Sequence, residues 1–242
     1  MAQHLTNQIL EPDAVALRYG LPLDGLPTNC VCGANLSTDH AMVCPCGGYP
    51  TARHNEIRDL IAELLRSVSP DVAIEPNLLP FGGETLAWST SNRSQEARLD
   101  VRARGFWTRQ QEAFFDIRVT HPRATLLSRE KAMSQLERNE REKKRHYAER
   151  VNQIDRGTFT PLVFATNGMI GKECSVFLKA LVGRILEKNA DLVYSVVVNH
   201  LRCRLSFCLL RWCITCLRGS RSSYRSKRSA SFVNDCRVLS RA

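Results

Sequence analysis

The chain has no uninterrupted apolar run that could cross a bilayer. Its most apolar window, 192–217, is broken by His200, Arg202, Arg204 and Arg211, whereas a spanning helix needs about 20 consecutive apolar residues. One or two buried or amphipathic helices are expected there, and no membrane partner. An apolar leader is also missing, because residues 1–11 are polar, so a nuclear or cytoplasmic protein is expected rather than a secreted one. Outside the secretory route a disulfide framework is not expected, despite 10 cysteines. Internal repeats are absent, which sets aside solenoids and arrays. Acid is the scarcer charge: 24 Asp and Glu stand against 34 Lys and Arg, a net charge of +10. Much of the excess is arginine, whose planar fork suits phosphate, so a nucleic acid is the first partner to expect. Charge alone does not separate DNA from RNA.

What is present begins with the cysteines. They fall into an early group (Cys30, Cys32, Cys44, Cys46) and a late one (Cys174, Cys203, Cys208, Cys213, Cys216, Cys236). The late group is scattered through helical apolar pattern, where free cysteine acts as a small hydrophobe. Cys213 and Cys216 have pair spacing but no partner pair, so core packing is expected of them. The early group reads C-x-C-x7-H-x3-C-x-C and is interleaved with Gly33, Gly47 and Gly48. That is a compact zinc knuckle at 30–48. Zn²⁺ takes four ligands; Cys30, Cys32, His40 and Cys44 are the expected set, with Cys46 as the alternate. So small a unit has no core of its own, and the metal would supply its folding energy as a structural ion.

Beyond the knuckle, Ile57, Leu60, Ile61, Leu64, Leu65 and Val68 recur with helical period, and Ser69-Pro70 ends the helix. Its opening residues, Arg53, His54 and Asn55, are expected on the first turn, where free N–H groups and the dipole favour phosphate. A packing or capping histidine is the plainer alternative for His54. Val72–Pro76 reads as a strand, then 89–95 as a polar loop. Two further strands follow, 97–103 and 112–119, each with one aspartate among β-formers: Asp100 and Asp116. A carboxylate in a strand that packs on a core is costly unless paired or bound to metal. Two on neighbouring strands can meet and hold a hard divalent cation, the arrangement used in phosphodiester hydrolysis. The plainer alternative is two solvated strand aspartates.

A long helix is expected over 125–155, with Met133, Leu136, Tyr147, Val151 and Ile154 as its apolar stripe. Glu140 lies within the stripe, with Lys143 and Lys144 at its flanks, and Lys131 falls on the opposite face. The run 141–150 is dense in charge, so solvation is the alternative for both flanking lysines. A strand at 160–166, a helix at 173–187 and a helical region to Leu217 complete the order. Residues 218–242 form a basic Arg/Ser-rich tail with disordered composition, and residues 1–29 a leading tail with a short helix near Val15.

The order helix, three strands, helix, strand, helix resembles the α/β restriction-endonuclease-like core, PD-(D/E)XK, with extra C-terminal helices. In that family an acid of the second strand and another of the third hold Mg²⁺. Here Leu99-Asp100 stands where the family has Pro-Asp, and Asp116-Ile117-Arg118 where it has (D/E)-x-Lys. The knuckle, then Arg-His-Asn, then the spaced aspartates resemble the C-terminal end of R2-like non-LTR retrotransposon proteins, over about residues 30–166. The resemblance implies a domain at 53–217 that nicks DNA, with the reverse transcriptase region of the same element as a partner. It places Mg²⁺ or Mn²⁺ on Asp100, Asp116 and the carbonyl of Ile117, with Glu75, Glu56 or Glu96 as a further carboxylate. Arg118 departs from the family lysine: arginine is a poor base but can stabilise charge at phosphorus, and Arg118 is expected to orient the water and offset that charge. Lys143 or Lys144, supported by Tyr147, is expected to take that place. A non-catalytic nucleic-acid-binding protein and a zinc-stabilised protein-interaction module are the other two readings.

Overall fold

The structure is a computed structural model and describes residues 12–17, 19, 21–122 and 129–219. The described residues divide into two compact units. One joins the chain up to Pro50 with the chain from Ile214 onward; the other is Thr51–Cys213. The last turn of the final helix groups with the cysteine-rich region.

The larger unit follows the expected element order. Helix α2 runs Tyr49–Arg66, beginning in the smaller unit, and buries Ile57, Ile61, Leu64 and Leu65 on one face. Strands β1 (Val72–Ile74), β2 (Val101–Arg104) and β3 (Glu112–Thr120) come next. Helix α3 (Arg129–Gln153) leads to β4 (Thr158–Ala165), then to α4 (Lys172–Lys188) and α5 (Tyr194–Arg218). The sheet order is β1-β2-β3-β4, with the first two pairings antiparallel and β3–β4 parallel. A parallel neighbour requires a crossover, and α3 supplies it. Pro161 is tolerated inside β4 because that strand is an edge, where one side of the backbone has no ladder partner. Among the described residues no helix is long and apolar enough to cross a membrane.

Strand β2 is shorter than its composition suggests. Regular pairing with β1 stops at Ile74, because Glu75 takes a left-handed φ of 51°. Leu78 N still donates to Ala97 O at 2.9 Å, and Asn77 bridges Arg98, so 97–100 is held against 75–78 without a continuous ladder. Asp100 therefore enters just ahead of β2.

Side chains alternate across β3. Phe115 lies against Phe106 and Phe177, with ring centroids 5.5 and 5.1 Å away. Phe114, on the other face, packs with Leu78, Ala97, Leu99 and Val151, with Tyr147 and Phe159 alongside. Asp116 shares that second face, so it emerges toward α3. Fully burying one phenylalanine is worth about 1.5–3 kcal/mol, and desolvating a carboxylate costs several. The apolar neighbours of β3 are what allow Asp116 to sit at 6% exposure.

Glu140 has a structural place. Gly171 precedes α4 without a side-chain cap. The Glu140 carboxylate fills that gap: Glu173 N donates to its Oε1 at 3.0 Å. A Cβ on Gly171 would stand 1.9 Å from the same oxygen, so glycine is needed there. Burial raises the Glu140 carboxyl above its ordinary range, against the Glu173 N–H.

In the smaller unit, Cys30 N donates to Ala34 O (2.8 Å) and Gly33 N to Cys30 O (2.9 Å). The turn closes because Gly33 adopts φ 89°. Helix α1, Thr38–Val43, is capped by Ser37, whose Oγ accepts from His40 N at 3.1 Å. Arg218, at the end of α5, grips buried Asp13 with Nε and Nη2 at 2.7 and 2.6 Å. The expected tail beyond it, and Cys236, lie outside the described residues.

Candidate functional site

Two sets of residues converge, one in each unit. In the smaller unit Cys30, Cys32, His40 and Cys44 present ligand atoms all within 4.8 Å of one another. The tight turn at Gly33 supplies the first pair, and α1 with its C-cap supplies the second. Cys32 Sγ lies 3.3 Å from His40 Nε2, and Cys30 Sγ 3.8 Å from Cys44 Sγ. The Cys30 thiol is lowered to about 6, first by the Cys32 backbone N–H. A thiol that deprotonates near neutrality is a ready ligand, and three sulfurs with one imidazole suit a metal such as zinc. Cys46 opens the short 3₁₀ turn Cys46–Gly48 and is not one of the four.

In the larger unit the two aspartates face each other. The β2–β3 ladder pairs Val101 with Phe115, and one step further brings Asp100 opposite Asp116. Asp100 Oδ2 accepts from Ile117 N at 2.5 Å, and its Oδ1 lies 3.0 Å from His54 Nε2. Lys143 Nζ stands 2.7 Å from Asp116 Oδ2. The pair is a close, charge-assisted contact, with Asp116 buried and Lys143 partly exposed. Burial raises the Asp116 carboxyl above its ordinary range; Lys143 opposes that rise and the Asp100 charge adds to it. The ring of Tyr147 lies 5.7 Å below Lys143 Nζ and steadies it.

The other expected residues fall elsewhere. Arg118 Nη1 donates to Glu142 Oε2 at 2.9 Å, and Lys144 Nζ to Glu173 Oε1 at 2.5 Å. Of the three cations, Lys143 is the one placed on the aspartate pair. Neither Glu56 nor Glu75 joins the aspartates: Glu56 pairs with Arg211 at 2.7 Å, and Glu75 with Arg58 and Arg98. Glu96 is exposed.

The expectation for Arg53, His54 and Asn55 is corrected. Pro50 is accepted within the first helical turn, where a missing N–H costs little, so α2 begins at Tyr49. The three residues therefore lie beyond the first turn, and the helix N–H groups there are not free for phosphate. Arg53 is buried, and His54 is spent on Asp100. The cysteine expectation is corrected once: Cys174, Cys208, Cys213 and Cys216 are buried, but Cys203 is exposed.

Arg150 was not anticipated. It is fully buried, and donates to the carbonyls of Asn92, Ser94 and Leu79 at 2.8–2.9 Å. Leu136, Lys143 and Arg150 are spaced by seven, and that spacing is the signal for an inward residue.

No protein-family model matches the chain. No curated protein matches it in sequence.

Proposed function

We propose that the Thr51–Cys213 unit is a metal-dependent endonuclease that nicks DNA, built on a restriction-endonuclease-like core. In this reading the chain is the nicking part of a non-LTR retrotransposon protein, or a derivative of one. The observation that supports it most is the placement of Lys143 at 2.7 Å from Asp116, with Asp100 opposite on the neighbouring strand. Two acids and one amine at a single point, with Asp116 buried and Asp100 and Lys143 half-buried, are parts that phosphodiester hydrolysis uses.

The donor set fits a divalent cation. Asp116 is buried with Lys143 Nζ at 2.7 Å as its ion-pair partner and Asp100 opposite, and hard carboxylate oxygens suit Mg²⁺ or Mn²⁺. When bound, such an ion would acidify water and stabilise the leaving oxygen. The remaining work falls to the chain. His54 and Ile117 N hold both Asp100 oxygens in place. Lys143, as the ammonium paired with Asp116, offsets the negative charge that builds at phosphorus, and the proton lost by the attacking water leaves to solvent. Arg118, half-buried and tied to Glu142, can exchange that partner for a phosphate oxygen. In the smaller unit, Zn²⁺ on Cys30, Cys32, His40 and Cys44 would be structural, since the donors form a closed set of four.

Plasmid nicking tests the reading. Wild type should relax supercoiled DNA with Mg²⁺ or Mn²⁺, and Asp116→Ala should not. Absence of metal-dependent nicking by the wild type overturns it. The engagement of Arg118 by Glu142, in place of a lysine at the metal, favours a second reading: binding of nucleic acid without cleavage.

A further inference from the structure

We propose that the outer face of α3, together with the loop carrying Trp88, is a binding track for single-stranded nucleic acid. The inference deepens the nuclease reading and rests on it for the chemistry of the ligand. An open groove of about 620 Å³ is lined by Trp88, Arg138, Arg141, Lys144 and Arg145, with Glu149 its single acid. Arg138, Arg141 and Arg145 are exposed. Among the described residues none of these three has a carboxylate within ion-pair distance. Lys144 also lines the groove and pairs with Glu173.

Trp88 is 52% exposed, yet its loop is held firmly. Glu149 Oε1 and Oε2 accept from Ala87 N and Trp88 N at 2.6 and 3.2 Å. His146 Nδ1 meets Thr90 O at 2.6 Å, and Arg150 binds three carbonyls of the same connection. Burying a whole arginine to fix a surface loop is costly. What the loop presents is a large flat ring beside three exposed guanidinium groups. The guanidinium forks suit phosphates and the ring suits one base face. In a duplex, base faces are covered by stacking, so the ring can be used only where a strand is unpaired. The lone acid in the lining, Glu149, is held ionised by the loop's N–H groups, and the four cations of the groove outnumber it.

The test uses the full chain with zinc retained and no other divalent cation added. Anisotropy reads binding of fluorescein-labelled oligo(dT) and of a duplex of equal length. Trp88→Ala is expected to weaken oligo(dT) binding about tenfold, while Trp88→Phe keeps it. Arg138→Ala/Arg141→Ala/Arg145→Ala should reduce the salt slope by about 2. Binding of Trp88→Ala within twofold of the wild type, or a wild-type preference for duplex, overturns the proposal. A nicking assay run beside it keeps the two claims apart: loss of metal-dependent cleavage with intact Trp88-dependent binding overturns the nuclease reading alone.

Discussion

Lys143 Nζ lies 2.7 Å from Asp116 Oδ2, while Lys144, its neighbour on α3, turns away to Glu173. Adjacent residues on a helix are about 100° apart, so one of two lysines in sequence can face the sheet and the other cannot. The substitutions Lys143→Met and Lys144→Met are thereby predicted to differ. Lys143→Met should lower metal-dependent nicking by about 10² or more, the usual loss when a charge-stabilising donor is removed. Lys144→Met and Arg118→Ala should act mainly on substrate affinity and its salt dependence. Equal loss of turnover from both lysine variants would remove the assignment to Lys143.

Asp116 is predicted to cost stability at neutral pH. Its folded pKa is raised, chiefly by burial, with Asp100 adding and Lys143 and His54 opposing. The fold thus favours the neutral acid. That favourable contribution is fully present below the unfolded pKa of about 3.9 and is lost as pH rises through the folded value. Asp116→Asn escapes the loss, because an amide stays neutral. Its Tm should match the wild type below about pH 4, exceed it as pH rises through the folded value, and keep a constant lead above that. A gap independent of pH, or of opposite sign, contradicts the reading.

The knuckle is predicted to carry one Zn²⁺ per chain. Cys30→Ser and Cys44→Ser should abolish it, and Cys46→Ser should leave it, since Cys46 is not among the four converging ligands. Metal content by mass spectrometry of the native protein reads this directly. The two cysteine losses should also expose residues 30–48 to proteolysis, because the metal supplies much of the folding energy of so small a unit.

How much of this is legible in the sequence depends on range. The metal ligands are local, and cysteine spacing with a turn glycine displays them without a fold. The order of helices and strands is also readable, because period 3.6 and period 2 are properties of short windows. Helix α2 starts four residues ahead of its expected opening because Pro50 can sit inside a first turn, and this moves His54 from phosphate to Asp100. The stop in β1 depends on the left-handed Glu75, a residue type without a turn signature. Glu140 and Arg150 look alike in a charged helix, yet one caps α4 and the other anchors a loop. Both roles depend on partners distant in sequence, and no window of α3 contains them. The choice between Lys143 and Lys144 is of the same kind: both flank the apolar stripe, and the sheet opposite decides.

The central claim is that Asp100 and Asp116 together hold a hard cation, and the most direct measurement is anomalous diffraction from crystals soaked in Mn²⁺. The account predicts a manganese peak coordinated by both carboxylates, with Lys143 displaced from Asp116 Oδ2 to make room. A fully soaked crystal with Lys143 still on Asp116 and no peak between the two aspartates would contradict it.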